Sequence, residues 1–151
     1  MKTANDLIDH CEKALRENWK YVYGAKGQIL NRDQILQLQK RWNKYSKDNI
    51  PDSDLNKAGS ICCDCSGLIS SLTGIERNSY GYKDSATEVK LITERNQNMK
   101  GWGVWKNGHI GVYDGNDGYY AMDGSARNMV HNNLNKNSFT HIIKLCDIKY
   151  D

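Results

Sequence analysis

The sequence has a single proline, Pro51, no internal repeat, no low-complexity tract, and no apolar stretch near the ~20 residues that a membrane-crossing helix requires. The N-terminus also lacks the apolar centre of a secretory leader, because Asp6, Asp9, Glu12 and Lys13 interrupt it. The expectation is a chain made in the cytoplasm without a signal peptide and without membrane insertion. Basic runs are missing too. Lys and Arg are scattered among 18 acids, so a formal charge of +3 argues weakly for nucleic acid, and no recognition motif accompanies it. Five cysteines are an odd number, and three crowd into Cys62, Cys63 and Cys65. A complete disulfide framework is therefore excluded, and chemistry is favoured over stapling.

What is present fits one domain over residues 1–151, with no linker to divide it. The mean hydropathy of -0.77 is low. Four Trp and nine Tyr nevertheless supply large apolar surfaces for a core. Thr3 with Asp6 opens a first helix whose Leu7, Cys11, Ala14 and Leu15 recur at helical spacing, ending near Lys20. Tyr21-Val22-Tyr23 is extended and is broken by Gly24. Asn31 with Gln34 caps a second helix carrying Ile35, Leu38, Trp42 and Tyr45 on one face, and Pro51 closes that segment before a loop over 51–60. A third helix runs from Cys65 through Leu68, Ile69 and Leu72 to Gly74. Ser85 with Glu88 suggests a capping box for a fourth, carrying Val89 and Ile92. The last third breaks into short aromatic and β-branched segments bounded by Gly, Asn and Asp, which predicts an antiparallel sheet. Helices first and strands after give an α+β class.

Cys65 at a helix start is placed for ionisation, since the helix N-terminus favours a thiolate, and backbone N–H groups there suit an oxyanion. A base must come from elsewhere. In His109-Ile110-Gly111-Val112-Tyr113 the alternation puts His109, Gly111 and Tyr113 on one face. If Tyr113 pairs with Tyr119 across the following turn, Gly111 meets Ala121, leaving room for a close-packed helix, and Asp123 falls opposite His109. Cys65, His109 and Asp123 then form a nucleophile, base and orienter. His10, His131 and His141 are expected to be structural or solvent-facing, and Cys11 and Cys146 to be small hydrophobes. Trp102 and Trp105 either line a glycopeptide groove or cap the core.

Tyr21-Val22-Tyr23-Gly24-Ala25, Asp64-Cys65-Ser66-Gly67-Leu68-Ile69 and Gly108-His109-Ile110-Gly111-Val112-Tyr113 resemble, in order and spacing, the three signature segments of the NlpC family of papain-like cell-wall cysteine peptidases. The resemblance spans roughly residues 19–130. It implies a papain-like fold, a catalytic helix packed on an antiparallel sheet, with Cys65 as nucleophile, His109 as base and Tyr21 helping to form the site beside Asp64 and Ser66. It implies peptidoglycan stem peptide as substrate, commonly at a D-glutamyl–diamino acid bond. The chemistry of a thiol and an imidazole needs no metal or cofactor, and a monomer is expected. Two features depart from the family pattern. Asp123 stands where His, Asn, Gln or Glu is usual, and Lys100 to Trp105 replaces a Pro-Gly-Asp, as in phage-encoded lysins. An endolysin would reach the wall after release or export by another route. The alternatives are an N-acetylmuramoyl-L-alanine amidase on the same fold, a redox site at Cys62-x-x-Cys65, and a silent wall-binding module. A zinc site is poorly served by adjacent cysteines.

Overall fold

Thr3 opens α1 (Ala4–Arg16) with a reciprocal box, accepting the Asp6 N–H at 3.1 Å while Asp6 accepts the Thr3 N–H at 2.8 Å. The computed structural model describes residues 1–46 and 49–151. The helix buries Leu7, Ile8, Cys11 and Ala14. It stops at Arg16, short of Lys20, because Asn18 turns left-handed at φ 54° and the Trp19 N–H folds back on the Ala14 carbonyl at 3.0 Å. Asn31 and Gln34 cap α2 (Arg32–Trp42) in the same reciprocal way, each bond 2.8 Å long. Tyr45 lies beyond the helix end and is exposed.

Three short strands make a small sheet in the order β1-β3-β2: β1 (Lys20–Tyr21), β2 (Lys26–Ile29) and β3 (Ile61–Cys63). β1 runs parallel to β3, with Tyr21 beside Cys63, and β2 runs antiparallel to it. Only Tyr21 of the expected extended run 21–23 is in a strand. The loop over 51–60 contains a 3-10 turn at Asp52–Lys57.

After β3 come α3 (Gly67–Thr73), closed by Gly74 at φ 74°, and α4 (Ser79–Ser85). The helix expected after Ser85 does not form. The Ser85 hydroxyl instead donates to the Gly81 carbonyl at 2.8 Å in the last turn of α4. Glu88 opens β4 (Glu88–Leu91), where Val89 pairs with Ile143. Sheet pairing with a distant strand outweighs a four-residue local pattern, and β-branched Val89 suits the strand.

β4 is one edge of a six-stranded antiparallel sheet ordered β4-β9-β5-β6-β7-β8. Its other strands are β5 (Gly103–Lys106), β6 (His109–Tyr113), β7 (Gly118–Met122), β8 (Met129–Asn133) and β9 (His141–Lys144). One face, with Trp105, Ile110, Val112, Tyr120, Met122 and Ile143, packs on α1 and α3. The opposite face, with Val104, Tyr113, Tyr119, Ala121 and Ile142, is covered by Met99, Trp102, Leu134 and Phe139 from turns and loops. Among the described residues no helix sits against Gly111, whose near neighbours are Val104, Tyr120 and Ala121. A Cβ there would meet the Tyr120 carbonyl at 2.8 Å, so its smallness serves the approach of β7. A third cluster joins Val22, Ala25, Leu30, Ile35, Ile50 and Cys62 between the small sheet and α2.

Candidate active site

Asp64 fixes the turn between β3 and α3. Its carboxylate accepts the Gly67 N–H at 2.7 Å, the Ser66 hydroxyl at 3.2 Å, the Gly24 N–H at 3.1 Å and the Lys26 ammonium at 3.1 Å. Its own N–H reaches the Ala25 carbonyl at 3.0 Å. α3 comes so close to that loop that a Cβ on Gly67 would lie 2.7 Å from the Ala25 carbonyl oxygen. Asp64 and Ser66 are thus nearly buried supports that border the cleft with their edges.

Cys65, held by this turn, is half-buried and borders a cleft with Tyr21 and Gly108. Burial pushes its thiol up to about 11, and the Asp64 charge adds to the rise. The backbone N–H groups of Ile110 and Ser66, with Lys26, offset this only in part. The expected lowering by the helix N-terminus is therefore overturned. Cys65 precedes Ser66, the N-cap of a seven-residue helix, and so short a helix does not outweigh desolvation. No acceptor pairs with the Cys65 backbone N–H among the described residues.

Tyr113 pairs with Tyr119 across the β6–β7 turn, and that register brings His109 and Asp123 together with Nε2 and Oδ1 2.8 Å apart. The imidazole stacks on Phe139, with centroids 5.5 Å apart and planes 14° off parallel. Nδ1 has no partner among the described residues. Asp123 also accepts the Tyr119 hydroxyl at 2.9 Å, the Asn137 amide at 2.9 Å and the Arg127 guanidinium at 3.0 Å. Burial alone would raise its carboxyl, but the hydrogen bonds from His109, Tyr119 and Arg127 prevail and hold it at about 2. It is a fixed anion at neutral pH. No hydrogen bond joins Cys65 to His109.

Tyr21 stands between two grooves. Its N–H donates to the Asn128 side chain at 2.9 Å, and its carbonyl accepts the Lys57 ammonium at 2.7 Å. The same ammonium reaches the Ser125 carbonyl at 3.0 Å and pairs with buried Asp54 at 2.8 Å. Burial raises the Tyr21 phenol well above its ordinary value, and the nearby Cys65 sulfur adds to that. A groove of 530 Å³ contains Cys65 with Tyr23, Trp42 and Tyr80, and a second of 720 Å³ contains His109 and Asp123. Tyr21 and Gly108 border both.

Trp102 and Trp105 line neither groove. Both are buried, Trp105 donating to the Ser79 carbonyl at 2.8 Å and Trp102 packing edge-on to Tyr150, so their groove-lining role is corrected to core packing. Cys62 is fully buried in the cluster under α2, its thiol turned to the Ser60 carbonyl, whereas Cys65 packs with the α1–α3 cluster. His10 bonds Ser71, His131 bonds Asp114 and His141 bonds Thr140. Cys11 is fully buried and Cys146 only partly so. Sequence patterns did not mark Tyr119, Arg127, Asn137 or Lys57. Tyr119 alone left a signal, sharing a strand face with Asp123 at a spacing of four.

No curated family model matches the chain, and no curated protein matches it in sequence. In fold it is similar to the P60 domain of an antigen from M. avium subspecies paratuberculosis, with a TM-score of 0.56 and 16% identity over 97% of this chain and 98% of that one. It is also similar to the peptidoglycan hydrolase RipB from Mycobacterium tuberculosis, with a TM-score of 0.54 and 18% identity over 97% of this chain and 68% of that one. These likenesses show the α+β, papain-like fold that the sequence motifs imply.

Proposed function

We propose that the chain is a cysteine hydrolase of the NlpC type, cutting an amide bond in the peptidoglycan stem peptide. The D-glutamyl–diamino acid bond is the favoured target and a phage endolysin the favoured origin. The observation that carries this reading is the His109–Asp123 bond in a groove that meets the Cys65 groove at Tyr21 and Gly108. Asp123 fixes the imidazole through Nε2, which leaves Nδ1 as the base. His109 takes the Cys65 proton as the sulfur attacks the carbonyl carbon, and the unpaired Cys65 N–H and the Tyr21 hydroxyl face the developing oxyanion. The C–N bond then breaks as His109 returns the proton to the leaving amine. Water, deprotonated by His109, opens the thioester, freeing the acid and restoring the thiol.

With a thiol at about 11, proton removal accompanies attack, and the base is indispensable. RipB is named as a peptidoglycan hydrolase, which accords with this substrate class. The test is digestion of purified peptidoglycan. Cys65→Ala is expected to lower the rate on the order of 10⁴-fold or more. Cys62→Ser is expected to retain activity, and equal loss at Cys62 would favour thiol redox chemistry instead. Mass spectrometry of the released fragments names the bond through its new termini.

A further inference from the structure

The two grooves differ in charge, and the difference falls on opposite sides of the bond to be cut. In the groove holding Cys65, Lys26 is paired with Asp64 at 3.1 Å and Arg77 with Asp147 at 2.7 Å, leaving one further charge of each sign, Arg41 and Glu76, not bonded to each other. In the groove holding His109, Lys106, Arg127 and Lys136 face one carboxylate, Asp123, which is already occupied by four donors. Lys106 stands directly across from His109 in the β5–β6 register, and among the described residues its ammonium bonds only the Ser138 hydroxyl, at 3.2 Å. Arg127 uses one nitrogen for Asp123 and for the Lys136 carbonyl at 3.3 Å, and its other nitrogens have no partner among the described residues. Neither lysine is in an ion pair among the described residues.

The acyl part of the substrate becomes bonded to Cys65 and so lies in the first groove. The leaving amine takes its proton from His109 and so lies in the second. From this placement we infer that the residue on the amine side of the cut bond carries a free carboxylate, held by Lys106 and Lys136 with Arg127 at the groove wall. This rests on the hydrolase reading and adds a specificity to it: a substrate whose amine-side carboxylate is amidated is a poor one. A neutral or amide-capped residue would leave the cations unpaired, whereas a carboxylate meets part-buried Lys106 and the exposed Lys136 and Arg127.

Two measurements on the full chain separate this inference from the reading beneath it. In the first, L-Ala-γ-D-Glu-diaminopimelic acid is compared with the same tripeptide amidated on the diaminopimelic carboxylates. Wild-type protein is expected to favour the acid by roughly five-fold or more in kcat/KM, as one or more part-exposed ion pairs supply. In Lys106→Gln/Lys136→Gln that ratio falls toward one, a readout that loss of folded protein does not move. Equal cleavage of both peptides by wild type would overturn the carboxylate groove and leave the hydrolase standing, whereas cleavage of neither would overturn the D-glutamyl–diamino acid reading.

The second measurement needs no turnover. Diaminopimelic acid and its diamide are titrated into wild-type protein and followed by amide NMR. Shifts at Lys106, Gly124 and Lys136 with the acid alone are expected, and equal or absent responses to the two would overturn the inference whatever the cleavage result.

Discussion

At the residue scale the unusual group is the thiol of Cys65, which burial and Asp64 keep protonated at neutral pH. Its alkylation by iodoacetamide, read by mass spectrometry at that site, is expected to rise with pH through the alkaline range toward about 11. A plateau already reached below pH 7 would mean that His109 holds the proton in the resting protein. Asp123→Asn keeps the shape but loses the charge that steadies the imidazolium. A fall in kcat of about 10²- to 10⁴-fold with a folded circular dichroism spectrum is expected. The pairing of His109 with Asp123 was legible in the sequence, since a turn of fixed length sets the register and the register sets the face. Arg127 and Asn137 were not legible. They reach Asp123 from an irregular loop whose path no periodicity describes, and the burial that raises the Cys65 thiol depends on β6, far off in the chain.

Among the elements, those governed by local bonds were the readable ones. Thr3 with Asp6 and Asn31 with Gln34 are each closed by two hydrogen bonds spanning three residues, so the sequence contains the whole motif. Ser85 with Glu88 has the same spelling, yet it is split between α4 and β4, because Val89 finds Ile143 across the sheet. The three-stranded sheet was illegible for a like reason: β1 has two residues and owes its form to β3. Asn31→Ala is expected to cost about 1 kcal/mol in urea unfolding with turnover retained, since Asn31 lines neither groove and only the opposite end of α2, at Arg41 and Trp42, borders the one holding Cys65. Gly67→Ala should cost about 1–3 kcal/mol and lower turnover as well, because the added methyl must push α3 off the Ala25 carbonyl and shift Cys65 with it. Unaltered turnover in that variant would show that the turn holding Cys65 is independent of the β1–β2 loop.

For the whole molecule, acid is the condition that bears on several ties at once. Asp147 is held below its ordinary value by the bidentate Arg77, and Asp114 by His131 and the turn N–H groups of Asn116 and Gly118 against the opposing effect of burial. Asp123 sits at about 2 against an ordinary 3.8. A lowered carboxyl contributes stability that is fully present above its unfolded value and is lost as pH falls through the folded one. Thermal midpoints are therefore expected to hold above about pH 4 and drop between pH 4 and 2, with a shallower drop in Asp123→Asn. The same parallel slope in both proteins would assign the acid sensitivity to the other carboxylates. Tyr21 and Gly108 border both the groove that holds Cys65 and the groove that holds His109. That shared border is an isthmus, so a ligand long enough to enter both grooves has to pass over Tyr21 and Gly108, and a side chain added at Gly108, where φ is 76°, would both strain the backbone and obstruct the passage.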